Sequence, residues 1–172
     1  DYGTTTTTVT SPLSTYNATS GNWISCSYDG KIVYAVGDGA FSKSSDYGAT
    51  WTASNTFTVS GTSTSLPSTI RGLGCSLTGQ YVLLLKGSGT GAVYLSSDYG
   101  VNWTLTLATQ NKNYRACAIS YSGQYMIVGT EVVSNNIISL DYGSTWNLIS
   151  GTMTGIVSIA ISSDFKYIVM LD

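Results

Sequence analysis

Histidine is missing altogether, and charge of either sign is scarce. The 172 residues hold seven Lys plus Arg and nine Asp plus Glu, 9% of the chain, against about 25% in ordinary soluble domains. Without histidine, no reaction that needs an imidazole base can run on this chain alone. Glutamate occurs once, at Glu131, and Lys, Arg and Ala are too sparse for a coiled coil or helical bundle. A net charge of −2 argues against a nucleic-acid partner. No apolar run approaches the roughly 18 residues of a membrane helix, so no membrane insertion is expected. Three cysteines, Cys26, Cys75 and Cys117, are odd in number and form no Cys-x-x-Cys pair. They build neither a disulfide framework nor a zinc site, and neither a metal nor a cofactor is expected.

What the chain has in abundance is Ser, Thr, Gly and Tyr: 26 Ser, 24 Thr, 19 Gly and 13 Tyr, with 42% hydrophobic residues to build a core. The order of these residues repeats. Asp-Tyr-Gly stands at 1–3, 46–48, 98–100 and 141–143. Between these points recurs an apolar strand, a turn and a second apolar strand. Aligning the turns places Cys26, Cys75, Ile119 and Ile161 at one position and Ile24, Leu73, Cys117 and Ile159 two residues earlier. Residues two apart share a strand face, so the cysteines read as small core hydrophobes.

The second strand of each copy is apolar throughout, as in Ile32-Val33-Tyr34-Ala35-Val36, Tyr81-Val82-Leu83-Leu84-Leu85 and Tyr125-Met126-Ile127-Val128. A continuous apolar run predicts burial on both faces. Four short strands per unit of about 45 residues, covered on both sides by like units, predict an all-β fold, a β-propeller of four-stranded antiparallel blades. Blades are expected at about 22–54, 70–107 and 115–149, with partial blades at 1–10 and 157–172, and the Ser/Thr/Gly-rich stretches 55–69, 108–114 and 150–156 as connectors. The blade spacing carries the next Asp-Tyr-Gly past Asp172, so a slice of a longer propeller is expected.

The turn between third and fourth strands is the most specific signal. It reads Ser44-x-Asp46-x-Gly48-x-Thr50-Trp51, Ser96-x-Asp98-x-Gly100-x-Asn102-Trp103 and Ser139-x-Asp141-x-Gly143-x-Thr145-Trp146. The pattern resembles the Asp-box, or bacterial neuraminidase repeat, of sialidase-like propellers. Its chemistry is structural. Ser and Asp bond the backbone of a tight turn, Gly supplies a positive φ, and Trp covers the hairpin while its N–H finds a partner. Asp46, Asp98 and Asp141 are therefore read as turn staples, not as a catalytic or metal-binding array. In the resembled family these turns lie on the face away from the catalytic centre.

The opposite face is where a ligand is expected. Two sets of positions collect there: the strand starts Asn22, Arg71, Arg115 and Val157, and the ends of the second strands, Asp38, Lys86, Glu131 and Asp172. Arg71 and Arg115 are the two arginines of the chain, at equivalent positions, and arginine clamps anions bidentately. Arg71, Arg115, Asp38 and Glu131 are the candidate ligand-binding residues, with structural ion pairing as the competing reading. No catalytic residue is assigned. The resemblance implies an arginine triad and a Tyr/Glu nucleophile pair, neither of which is identifiable, and a paired-carboxylate hydrolase of the xyloglucanase kind would draw on Asp38 and Asp172. The expectation is thus a non-catalytic glycan- or protein-binding or assembly module on an extracellular, cell or virion surface. The alternatives are a glycoside hydrolase with residues outside this segment and a self-assembling coat or fibre component. Asn17 and Asn102 head N-glycosylation triplets, and Thr4 to Thr8 reads as an exposed strand.

Overall fold

In the computed structural model, residues 21, 23–37, 39–67, 69–87, 90–110, 112–131, 135–149 and 155–172 are described. The first Asp-Tyr-Gly copy, the Thr4 to Thr8 tract, the Asn17 triplet, Asn22 and Asp38 lie outside them. Among the described residues every regular element is a strand. The first sheet is the meander β1 (Trp23–Cys26), β2 (Val33–Gly37), β3 (Ala40–Ser44) and β4 (Thr52–Ser54). The third repeats it with β11 (Tyr114–Ile119), β12 (Met126–Thr130), β13 (Ile137–Ser139) and β14 (Asn147–Leu148). The last has two strands, β15 (Ser158–Ile161) and β16 (Ile168–Leu171). These antiparallel sheets are the blades of a β-propeller.

The second sheet departs from the four-strand expectation. Its meander β7 (Ile70–Cys75), β8 (Val82–Lys86), β9 (Thr90–Ser96) and β10 (Asn102–Gln110) is extended by β5 (Thr56–Val59) and β6 (Thr62–Ser65), giving the order β6-β5-β10-β9-β8-β7. The stretch 55–69 is therefore a hairpin as well as a connector. β5 runs parallel to β10, with Thr58 opposite Asn102 and Val59 opposite Trp103. Ser60 and Gly61, at φ 49° and 81°, make its tight turn, the two left-handed residues that a type I′ hairpin requires.

The core lies between the sheets. Val82 and Leu84 point into a cluster with Tyr34, Val36 and Phe41 of the first sheet. Leu83 and Leu85 point the other way, onto Met126 and Val128 of the third. All four β8 residues are fully buried, so the strand is covered on both faces as its apolar run predicts. Each such burial contributes about 1.5–3 kcal/mol. Between the first two sheets, Tyr34 stacks on Phe41, Phe41 meets the edge of Trp103 at 5.3 Å, and the Tyr34 hydroxyl donates to the Gly79 carbonyl at 2.8 Å. Two cysteines follow the core reading. Cys75 is buried and Cys117 half-buried, and burial pushes their thiols up to about 11 and about 12. Cys26 is exposed, because the Ile24–Cys26 face of β1 points away from the second sheet and meets no other sheet among the described residues.

The three recurrent turns share one hydrogen-bond pattern. In the first, the Ser44 hydroxyl donates to Asp46 Oδ1 at 2.8 Å and accepts from the Gly48 amide at 2.8 Å. The Thr50 amide donates to Asp46 Oδ1, the Thr50 hydroxyl to Oδ2 at 2.6 Å, and the Trp51 indole to the Gly48 carbonyl. Ser139, Asp141, Gly143, Thr145 and Trp146 repeat every bond. In the middle copy the Asn102 amide nitrogen takes the place of the threonine hydroxyl, donating to Asp98 Oδ2 at 2.8 Å. That nitrogen is the one a glycan would need. The bonds from Thr50 and Ser44 hold the Asp46 carboxyl below its usual range, and those from Thr145 and Ser139 do the same for Asp141. At Asp98 partial burial pushes upward but is outweighed by the bonds from Asn102 and Ser96. The glycine is not alone in its backbone region: Tyr47, Tyr99 and Tyr142 precede it at φ 61°, 62° and 60°. Each spends its amide on a carbonyl at the foot of the second strand, Lys31, Gln80 and Gln124 respectively.

Candidate functional site

The inner strands β1, β7, β11 and β15 run side by side, and two of them are irregular at the same place. In β7, Ile70 pairs with Lys86 and Gly72 with Leu85, leaving Arg71 without an opposite residue. In β11, Tyr114 pairs with Thr130 and Ala116 with Gly129, leaving Arg115 likewise. Each arginine is thus the extra residue of a β-bulge, a device that bends a strand and re-aims one side chain.

Small residues make the room. A Cβ on Gly72 would stand 3.1 Å from the Arg115 carbonyl oxygen, so glycine eases the close approach of the two inner strands. A Cβ on Gly87 would run into the Arg71 stem and stand 3.1 Å from the Tyr114 carbonyl. What remains is a cleft of about 150 Å³ lined by Trp23, Arg71, Arg115 and Val157. Beside it a hollow of about 30 Å³ is lined by Arg71, Asn113, Tyr114, Arg115 and Glu131, with Gly87 as its floor. The structure therefore brings Arg71, Arg115 and Glu131 together. Trp23 lines the cleft, whereas its neighbour Asn22, like Asp38, lies outside the described residues.

The two arginines differ electrostatically. Arg115 Nη2 forms an ion pair with Glu131 Oε1, and the Asn113 amide donates to Glu131 Oε2 at 2.7 Å. Arg71, half-buried, has no ion pair or hydrogen bond among the described residues. The buried Trp23 indole N–H also has no acceptor among the described residues. Among the described residues lining the two hollows, two arginines stand against one carboxylate. A guanidinium offers a planar fork of donors that matches a carboxylate.

Asp46, Asp98 and Asp141 each close their own turn and do not meet. No group of three or more His, Cys, Asp or Glu able to hold a metal occurs among the described residues. Sequence reasoning missed the bulges, the role of Trp23 and the bond from Asn113. The bulges had a faint signal, an arginine one place ahead of each apolar inner strand.

No protein-family model matches the chain, and no curated protein matches it. Among solved structures it is similar to β-propellers. The GH74 enzyme of Niastella koreensis superposes with a TM-score of 0.58 at 17% identity over 79% of this chain and 19% of that one. YCF48 bound to a D1 peptide does so with 0.57 at 16% identity, over 77% and 41%. Hydrazine synthase of Kuenenia stuttgartiensis gives 0.64 at 14% identity, over 95% and 45%. The chain spans between about a fifth and just under half of these structures. The class that fold and comparison define is the β-propeller.

Proposed function

We propose that this chain is a non-catalytic propeller segment of the Asp-box type, working as a binding or assembly module whose ligand presents a carboxylate to Arg71. The observation that carries the reading is the half-buried Arg71 guanidinium, set on a bulge at the mouth of a cleft and left without a partner among the described residues. Arg115, already held by Glu131, forms the far wall and adds donors as the ligand arrives. An acidic sugar or an acidic protein side chain satisfies this chemistry. A peptide-bound propeller among the structural neighbours supports the protein partner. The scarcity of charge and the Ser/Thr/Tyr-rich surface support a place outside the cell or on a particle. Calorimetric titration with 3′-sialyllactose and with a glutamate-rich peptide tests the reading. Binding of one of them, lost in Arg71→Ala, supports it, and no binding of either overturns it.

The GH74 likeness favours one second reading, a glycoside hydrolase. It needs two facing carboxylates, and Glu131 is the one carboxylate lining the inner-strand clefts among the described residues. Release of reducing sugar from xyloglucan by the chain would establish that reading against the binding one.

A further inference from the structure

A second cleft lies between the first and second sheets, on the outer side of the aromatic cluster. It measures about 450 Å³ and is lined chiefly by Phe41, Lys43, Thr52, Tyr99 and Val101, with Asp46 on its rim. That size falls within the range of small-ligand sites. One residue of its lining breaks the repeat. The position just before the turn serine is Lys43, Leu95 and Ile138 in the three copies. Leu95 is buried in the core between the second and third sheets. Lys43 stands where the repeat calls for an aliphatic side chain, in a chain with five lysines. The half-buried lysine brings a charged end group to a position that is aliphatic in the other two copies, so a local rule is broken.

The ammonium meets Tyr99 twice. Its Nζ donates to the Tyr99 carbonyl at 3.0 Å and lies 5.3 Å from the centre of the Tyr99 ring. Burial lowers its pKa, and Asp98 partly offsets this. Two of its three N–H donors remain for the cleft. The Thr52 hydroxyl beside it has no partner among the described residues. The Asp46 carboxylate supplies acceptor capacity at the rim. Tyr99, 40% exposed, and Val101, 63% exposed, offer apolar surface at the mouth.

Charge decides the ligand class. Lys43 and Asp46 are the two charged groups of the lining and are of opposite sign, so an anion gains little there. The lining mixes the apolar surfaces of Phe41, Tyr99 and Val101 with the polar groups of Lys43, Asp46, Thr50, Thr52 and Ser54. A ring that shows C–H groups to Tyr99 and Val101 and hydroxyls to Lys43, Thr52 and Asp46 fits both the size and the mixture. We infer that the cleft between the first and second sheets is a binding site for a neutral saccharide, separate from the arginine cleft.

The test titrates the 172-residue chain with cellohexaose, maltohexaose and mannohexaose, and with 3′-sialyllactose as the anionic comparison, followed by calorimetry and by NMR of the Tyr99 and Val101 amides. One neutral probe is expected to bind, with shifts at those amides. Lys43→Leu, which restores the residue of the second copy, should weaken that binding at least about tenfold while leaving the melting temperature unchanged or higher. Thr52→Val should weaken it with no change in fold, and Arg71→Ala should leave it intact, which separates the outcome from that of the arginine cleft. The inference is overturned by silence of all three neutral probes up to about 10 mM. It is overturned equally by binding that survives both Lys43→Leu and Thr52→Val, or by a Lys43-dependent preference for the anionic probe.

Discussion

Arg115 and Glu131 neutralise each other across the β11 bulge, whereas Arg71, the equivalent residue one sheet earlier, forms no ion pair among the described residues. The same backbone device thus presents one spent and one unspent guanidinium to a shared cleft. Glu131→Gln should free the second. Both side chains of the pair are about a third exposed, at 37% and 32%, so its loss should cost no more than about 1 kcal/mol of stability. Affinity for a carboxylate probe should rise, and double substitution with Arg71→Ala should remove the gain. Calorimetry on the two variants checks both statements.

Trp51, Trp103 and Trp146 occupy one position of the repeat and make the same bond to a glycine carbonyl. Their burial differs. Trp103 is 2% exposed, with Phe41 and Phe57 meeting it edge to face, while the other two are half-buried. Trp103→Ala should therefore cost about 3–5 kcal/mol and each of the other two clearly less. Denaturant melts of the three variants, compared side by side, would show the order, and equal losses would refute it.

The hydrogen bonds that tie the turns hold Asp46, Asp98 and Asp141 below the ordinary carboxyl value of 3.8, and Asp29 and Asp164 are lowered in the same way by Ser27 and Ser162. A carboxyl depressed in the folded state binds protons less readily than in the unfolded chain. Its contribution is complete above the unfolded value and is lost as pH falls through the folded one. With no histidine to titrate, the melting temperature should stay flat from neutral pH down to about 5 and then fall below about 4, modestly because these carboxyls are largely exposed. Replacing both Asp46 and Asp141 with Asn should shallow that fall.

Sheet architecture was legible because burial on both faces writes an unbroken apolar run, as at Val82 to Leu85, and because the turn residues recur with their bonding partners at fixed offsets. The Asn102 exchange kept the pattern readable, since its amide donates where threonine's hydroxyl does. The arginine cleft was half legible. Equivalent placement of Arg71 and Arg115 pointed to one face, but a bulge is a fact about pairing with the neighbouring strand, and nothing within either strand announces it. Lys43 passed unremarked, because a lysine ahead of a turn looks like a solvated residue until the next sheet's Tyr99 is placed over it. The hairpin at 56–65 was hidden by composition. Thr-Phe-Thr-Val followed by Ser60-Gly61 alternates correctly, yet it sits in a Ser/Thr-rich stretch that reads as a linker.

That hairpin supplies a last test, because its attachment rests on few residues. Phe57, 7% exposed, lies 5.1 Å from Tyr94 and 5.9 Å from Trp103, both edge to face. The Ser60 amide donates to the Trp103 carbonyl, and the remaining β5–β6 side chains are mostly exposed Ser and Thr. An isolated two-stranded hairpin is marginal in water, so the Phe57 ring, with Val59 on the same cluster and the short pairing of β5 with β10, is what fastens it. Phe57→Ala should release β5 and β6 locally while β7 to β10 stay folded. Amide exchange would then accelerate across Thr56–Ser65 toward the unprotected rate, with protection at Val82–Lys86 nearly unchanged. If the two regions lost protection together, the hairpin would be an integral part of the second blade instead of an addition to its edge.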